Sequence, residues 1–592
     1  MAVTFVLLRP FRIKGYRMNY KTNKFAILSC AFFVIYTLIS FAFYYERTLQ
    51  GDLNNHILAG EIFGVPDALK QHGIKPLYHG PASGWDGQFY YYMSNDLLAQ
   101  KDTPKHIDAP SYRYQRIGLS LYTAVVAKVL GMNWVSPTLY FVSYFALILF
   151  ATYVGAQLFR QFGSYPCLIL LWSLSVGTQI TLFNALPDAA ADAFLIVGLG
   201  ALFAKRNLLA TLSFTFAALS REVYVLFPSC IFLFYLLDSI SCSHAQGFSI
   251  KKALINLFKG HIYYLYLIPA IVAILWHIYI VHHFGIAPSE QAFGILGLPF
   301  VAWFNYFQSA VHGNHLLIGK GYGAICEAIS LLFFLLILLF SIMISLNILV
   351  KRFRMVPIGV RGIAFASVLI VMLYSCFGPT VMMHYSGYFK AIGVLFFLLP
   401  VLVVAAKFSR KMVIFVISLL MAALVITTFY NMKVRVLPVL DIDKYTHIST
   451  INNNDRVACF GDYKAAITIE SIRFSSQNVL LQLFSGNKKR MIVHVLLTNT
   501  STHPFVSTNN FGSVFMSGQW VDEHNHVVSD GIRSAIPGVL QPGESAEIDV
   551  ITSIPSRRGH YFFKLSPVQE GCAWFYVEKP GVTSSMQFIV GE

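Results

Sequence analysis

Residues 412–430 read MVIFVISLLMAALVITTFY, with no charged side chain among them and with Lys407, Arg410 and Lys411 just before them. A helix needs roughly 20 apolar residues to cross about 30 Å of hydrocarbon, so this run is expected to span a membrane. Similar runs fill most of the first 430 positions: 25–45, 138–159, 166–185, 188–204, 207–219, 223–237, 262–283, 323–350, 363–377 and 386–406. Eleven spans are thus expected, with those near 207 and 223 short. Composition agrees, because 56% of the 592 residues are hydrophobic and only 12% are charged. Soluble domains carry about 25% charged residues.

The net charge of +16 is unevenly placed. From Gly461 onward there are 10 Lys+Arg against 11 Asp+Glu, whereas the preceding part holds 34 against 17. The basic residues flank apolar runs and form no soluble basic face, which argues against nucleic acid as a partner. They read instead as topology signals. Arg160, Lys205-Arg206, Lys251-Lys252, Lys259, Lys351-Arg352, Arg354, Arg361 and the Lys407–Lys411 group belong with the basic N-terminus (1–24), on the cytoplasmic side. That N-terminus has no small-residue cleavage site after its apolar run and reads as a retained signal anchor.

Parity then constrains the rest. The first span carries 46–137 outward, and Arg160 must lie inside, so the apolar stretch 117–130 cannot cross. It is expected to be a helix lying at the outer interface. Eleven spans put the C-terminus outside. After a linker at 431–459, residues 460–592 change to short alternating runs (467–474, 479–484, 491–497, 560–565) separated by turn residues such as Ser485-Gly486-Asn487, Asn525 and Pro542-Gly543. This predicts a β-sandwich. Of eight cysteines only Cys459, at the end of the linker, and Cys572 lie beyond the apolar runs, where an oxidising compartment would allow a bridge.

The outer loop concentrates chemistry. It opens with Gly51-Asp52-Leu53-Asn54-Asn55-His56 and continues with Gly84-Trp85-Asp86-Gly87-Gln88-Phe89-Tyr90 and Asp108-Ala109-Pro110-Ser111-Tyr112-Arg113-Tyr114-Gln115-Arg116. A carboxylate can take a proton from a sugar hydroxyl, an aromatic face suits a sugar ring, and an arginine fork suits a phosphate. The plainer alternative is interfacial anchoring and loop packing. Asp188 and Asp192 begin a span, Ser220-Arg221-Glu222 joins two short ones, and His384 and Lys390 flank the outer end of another. Ionisable groups at membrane depth are costly, which makes each a candidate. Ion pairing of Arg221 with Glu222 or an Asp, and snorkelling of Lys390, are the plainer readings. His282-His283 and His312 to His315 lack the carboxylate or Cys spacing of a metal site.

The Trp-Asp-Gly-Gln-Phe-Tyr core at 85–90, the Tyr-Arg-Tyr-Gln-Arg ending at 112–116, Pro187-Asp188 and Ser220-Arg221-Glu222 together resemble bacterial membrane glycosyltransferases of the GT-C superfamily. The resemblance covers about 25–430 and is strongest over 80–120. It implies a multi-pass inner-membrane enzyme that moves a sugar from a polyprenyl-phosphate carrier to a glycan or lipid-linked acceptor. An acidic residue of the first outer loop would serve as base; Asp52 matches by position and Asp86 by motif. Arg113, Arg116, Arg221 and Lys390 would meet the lipid phosphate, with Asp188, Glu222, His384, Trp85, Gln88 and Tyr90 completing the substrate site. Relatives of this kind often carry a Glu three residues after the Asp at 188, where this chain has Ala191 followed by Asp192. No residue set specifies a cofactor, although the resemblance leaves room for a divalent cation. The C-terminal part, with Trp520-Val521-Asp522 and Gly571-Cys572-Ala573-Trp574-Phe575, resembles Ig-like sandwiches attached to glycan-assembly proteins. There Trp520, Trp574 and Phe575 would stack on sugars or, by alternation, fill a core. The rival reading is a non-catalytic glycan transporter or scaffold of a polysaccharide-assembly complex. An O-acyltransferase would have only His277 or His315 to work with.

Overall fold

The first helix among the described residues, α1 (Tyr20–Arg47), has polar ends and an apolar middle, as a first span should. The computed structural model describes residues 20–49, 51–77, 84–245, 262–292, 294–312, 322–435, 459–476, 489–506, 514–531, 533–536, 539–555, 559–569 and 572–590. Most of the expected linker, Arg9 to Arg17, Lys251 to Lys259, His315 and the run 479–484 lie outside these residues.

After α1 come α2 (Gly87–Ser94), α3 (Pro110–Tyr114), α4 (Gly118–Val129) and α5 (Pro137–Gln161). Then follow α6 (Val176–Phe183), α7 (Asp188–Phe203), α8 (Asn207–Ser220), α9 (Leu226–Ala245), α10 (Ile268–Phe284) and α11 (Val301–Val311). The helical part ends with α12 (Tyr322–Val350), α13 (Ile358–Ser375), α14 (Tyr385–Ala391), α15 (Leu395–Ala405) and α16 (Arg410–Arg435). Local chemistry sets several boundaries. Ser136 caps α5 by accepting from the Leu139 N–H at 3.1 Å, with Pro137 in the first turn, and Gly285 ends α10 at φ 62°.

Eleven spans is too many: among the described residues eight helices are long and apolar enough to cross, or nine if a bent pair counts as one. The expected span at 166–185 is that pair, Pro166–Ser173 and Val176–Phe183, which meet at 56°. Ser175 starts a new helix there by accepting from the Thr178 N–H. The 16 residues of α7 and 14 of α8 cover only about 24 and 21 Å, less than a full bilayer. From Asp188 to Leu202 every α7 side chain is buried, so protein and not lipid surrounds that helix. The stretch near 223 belongs to a longer helix than expected, Glu222–Ser241. The 12 residues of α4 reach about 18 Å, too short to cross, in line with the parity argument.

The C-terminal part is β-rich. Strands β1 (Ala465–Ser476), β2 (Lys489–Asn499), β3 (Phe505–Val506), β4 (Val514–Asp522), β5 (Val527–Asp530) and β6 (Ser534–Ala535) come first. They are followed by β7 (Val539–Leu540), β8 (Ser545–Ser553), β9 (Gly559–Gln569), β10 (Ala573–Trp574) and β11 (Ser584–Val590). One sheet runs β1-β2-β8; a second runs β10-β9-β4-β5, with β11 on β9 and β6 on β4; and β3 pairs with β7. Val493, Leu497 and Val550 of the first share a core with Trp520, Phe563 and Leu565 of the second. The Trp520 indole N–H donates to Thr552 Oγ1 across the two sheets at 2.8 Å. Asn525 (φ 61°) and Gly543 (φ 88°) take the left-handed turn conformations that their residue types favour. A disulfide joins Cys459 to Cys572.

Candidate functional site

The Gly-Trp-Asp-Gly-Gln stretch divides its labour residue by residue. Ala59 and Gly84 form an isolated antiparallel bridge, the Trp85 N–H donates to Leu58 O, and the buried Gln88 Oε1 accepts from the Gly60 N–H at 3.0 Å. Gly84 sits at φ 70°, where a Cβ would fall 2.4 Å from the Gly60 nitrogen. At Gly87 a Cβ would fall 1.9 Å from Asn184 O, so only glycine lets α2 start against the turn that leads into α7. Gln88 and the two glycines therefore hold the loop. Trp85 and Asp86 are left exposed.

Three cations, Arg113, Lys390 and Arg116, act on Asp86, and Arg221 lies near Arg116. Arg113, placed at the end of α3, donates from Nη1 to Asp86 Oδ2 at 3.0 Å and grips Asp108 through Nε and Nη2 at 2.9 and 2.7 Å. Its guanidinium lies over the Phe89 and Tyr112 rings, with buried Tyr90 at 5.9 Å. Arg116 makes a two-pronged pair with Glu222 at 2.9 and 2.8 Å and stacks on Tyr112 at 4.6 Å. The two segments meet because Gly118 at the start of α4 packs on Ser220, where a Cβ would lie 2.2 Å from the hydroxyl. Arg221 leaves α8 in an extended conformation, donates to Ala391 O at 2.7 Å, faces Asp188 at 3.6 Å and is flanked by Tyr224 and Tyr374.

Lys390 completes the group from the last turn of α14. That short helix is tied on one side by Tyr388 donating to Glu327 (2.7 Å) and Tyr385 donating to Asn431 (2.8 Å). On the other side it meets Arg221 at Ala391 and α6 at Gly177, whose Cβ would sit 2.5 Å from Phe389 O. Burial alone would raise the Asp86 carboxyl. The charges of Arg113 and Lys390, the Arg113 hydrogen bond and the more distant Arg116 outweigh it and hold Asp86 below its ordinary range.

These contacts sort the expected residues. Arg113, Arg116 and Arg221 are paired with Asp108, Glu222 and Asp188. Lys390 has no carboxylate partner among the described residues, which leaves its ammonium for an external anion. Asp86, with 49% of its side chain exposed, keeps room for a second partner beside Arg113. Asp52 stands apart: it caps the 3-10 turn Leu53–Ile57 by accepting from the Asn54 N–H at 2.9 Å and forms no ion pair among the described residues. His384 caps α14, bonding Ser386 at 2.7 Å and lying against Tyr385.

Sequence reasoning passed over Asp108 as a site residue and Glu327 altogether. It noted Asp192 without a role; that carboxylate accepts from Trp172 (3.0 Å) and Tyr224 in the buried layer beneath Arg221. An apolar groove of about 600 Å³, lined by Leu97, Ile117, Leu121, Leu219, Val272 and Trp276, adjoins the cluster. Ile117 directly follows Arg116, and Leu219 precedes Ser220-Arg221. The acids of the cluster are turned to arginines or hydroxyls. Among the described residues, the one trio of metal-ligand types whose atoms converge is Glu470, His494 and Glu547 in the β-region, outside this cluster. Comparison with protein-family models, with curated proteins and with solved structures returned no match.

Proposed function

We propose that the chain is a GT-C-type membrane glycosyltransferase. It would move a sugar from a polyprenyl-phosphate carrier to a glycan or lipid-linked acceptor at the outer face of a bacterial inner membrane. One observation carries this reading: a half-exposed carboxylate, Asp86, and a cation with no ion pair among the described residues, Lys390, share a site beside an apolar groove. The acceptor hydroxyl attacks the anomeric carbon and gives its proton to Asp86, while the bond from that carbon to the phosphate oxygen breaks. Lys390 stabilises the charge that grows on the departing phosphate. The groove takes the first part of the lipid chain. Arg113 orients Asp86 and keeps it ionised in the ground state. The basic inner loops support the assigned side. The Cys459–Cys572 bridge supports an oxidising compartment for the C-terminal region, read as an Ig-like domain that presents the acceptor.

The test is mass spectrometry of lipid-linked and surface glycans from cells lacking the protein, complemented with Asp86→Asn or Asp52→Asn. The first variant is expected to leave the unmodified acceptor, and the second to restore the wild-type glycan. Full restoration by Asp86→Asn overturns the assignment.

A further inference from the structure

We propose that a second groove, between residues 94–101 and the C-terminal end of α4 with the turn after it, docks the headgroup of an anionic phospholipid from the surrounding bilayer. The groove encloses about 510 Å³ and contains none of the Asp86 cluster. Lys101 and Gln100 stand on one wall, and Lys128, Asn133 and Trp134 on the other. Neither lysine has a carboxylate partner among the described residues; Lys101 makes only a long bond, 3.5 Å, to Asn95 O. The one acid in the lining, Asp96, is spent internally, accepting from the Gln100 and Lys101 backbone N–H groups at 3.0 Å each. Two ammonium groups and two side-chain amides therefore face one pocket. That is the donor set a phosphate diester needs.

The rim identifies the source of the phosphate. On α4, Val125 and Val129 lie one turn apart and are 46% and 61% exposed; Leu130 beyond them is 57% exposed and Leu98 across the groove 45%. Apolar side chains laid open beside lysines on a helix too short to cross are what an interfacial helix presents to lipid, with acyl chains below and headgroups level with the amines. A soluble phosphate would use the lysines and leave the apolar rim uncovered. Trp134, stacked on His72 at 4.1 Å, stands where indoles collect in membrane interfaces.

The test uses the full-length protein in nanodiscs, with lipid retention read by native mass spectrometry. Wild type is expected to retain phosphatidylglycerol over phosphatidylcholine. The double variant Lys101→Gln/Lys128→Gln should lose about tenfold in that retention, since each surface cation near an anionic headgroup contributes severalfold. Lys101→Arg/Lys128→Arg should keep it. Both lysines are exposed, so folding is not at risk, and an unchanged melting temperature in phosphatidylcholine discs verifies this. Equal retention by the Gln variant overturns the proposal, as does equal retention of the zwitterionic lipid. Competition by soluble glycerol phosphate as strong as by the lipid would reassign the pocket to a free anion. Because no transfer reaction is read, the outcome is independent of the glycosyltransferase proposal.

Discussion

The loop between α1 and α5 and the β-rich C-terminal region both display tryptophans and acids that look functional in sequence, yet the fold treats them oppositely. In the loop, Trp85 and Asp86 stay exposed while their less conspicuous neighbours Gly84, Gly87 and Gln88 do the packing. In the β-region Trp520 and Phe575 are fully buried, and Trp574 is half-buried beneath the Arg533 guanidinium at 4.7 Å. A strand has a fixed period of two, so an inward position such as Trp520 on β4 is committed to the core whatever residue it holds, and Phe575 packs there from the helical turn just after β10. A loop has no such period. Its exposed set is fixed by which neighbours must approach another backbone.

The sharpest way to break this contrast is a pair of substitutions. Asp86→Asn should cut sugar transfer in purified membranes by about 10²- to 10⁴-fold, the usual span for a lost proton acceptor, with no change in melting temperature. Trp520→Ala should destabilise the β-region by about 3–5 kcal/mol, seen as early protease cleavage beyond residue 459, because it empties core volume and strands Thr552. Equal effects of both on melting would erase the distinction.

Next in size is an acid dependence within the loop itself. His56 is buried, bonds Leu182 O through Nε2 at 3.3 Å, and burial pushes its pKa from 6.5 down to about 4. Above pH 6.5 the ring is neutral in both folded and unfolded chains, and its stabilising share is complete. Between pH 6.5 and about 4 only the unfolded chain takes the proton, so stability falls as pH drops. The loss is roughly 3 kcal/mol once pH reaches about 4, and melting curves at pH 7 and 5 should show roughly 2 kcal/mol of it in wild type but not in His56→Phe. A smaller effect concerns Arg113→Gln. Asp86 is held low chiefly by that guanidinium, so the variant should protonate at higher pH and its acid limb of transfer should move upward. An unmoved limb would detach Asp86 from the rate.

Much of this was legible in the sequence, and the gaps have physical causes. Hydropathy sums over a window, so it finds α12 and α16 readily but cannot see Ser175 capping a new helix inside 166–185. It also counted α7 as a full span, because apolar composition does not distinguish burial in protein from burial in lipid. The stretch 117–130, expected not to cross, holds a helix of 12 residues, shorter than a full span. The gathering of Asp86, Arg113, Arg116, Arg221 and Lys390 was an expectation, but the pairing within it was not readable. Arg116 finds Glu222 across 106 residues and Arg221 finds Ala391 across 170. Such partners follow from Gly118 against Ser220 and Gly177 against α14, close approaches that no local pattern announces. Glu327 was overlooked because one acid in a long apolar run does not disturb a window average.

The smallest predicted effect is the one that separates position from motif. Asp52 directly follows the first span, where the resemblance expects an acidic base, yet its carboxylate is engaged as a cap for Leu53–Ile57. Asparagine caps as well as aspartate, so Asp52→Asn should change stability by only a few tenths of a kcal/mol. Asp52→Ala removes the acceptor and should cost about 1 kcal/mol in melting experiments. Neither should change the amount of transferred sugar, since the Asp52 carboxylate serves the turn as a cap and does not belong to the Asp86 cluster. If Asp52→Asn abolishes transfer while melting is untouched, the cap is incidental. The base would then lie at Asp52, and Asp86 would be left as a partner that orients Arg113.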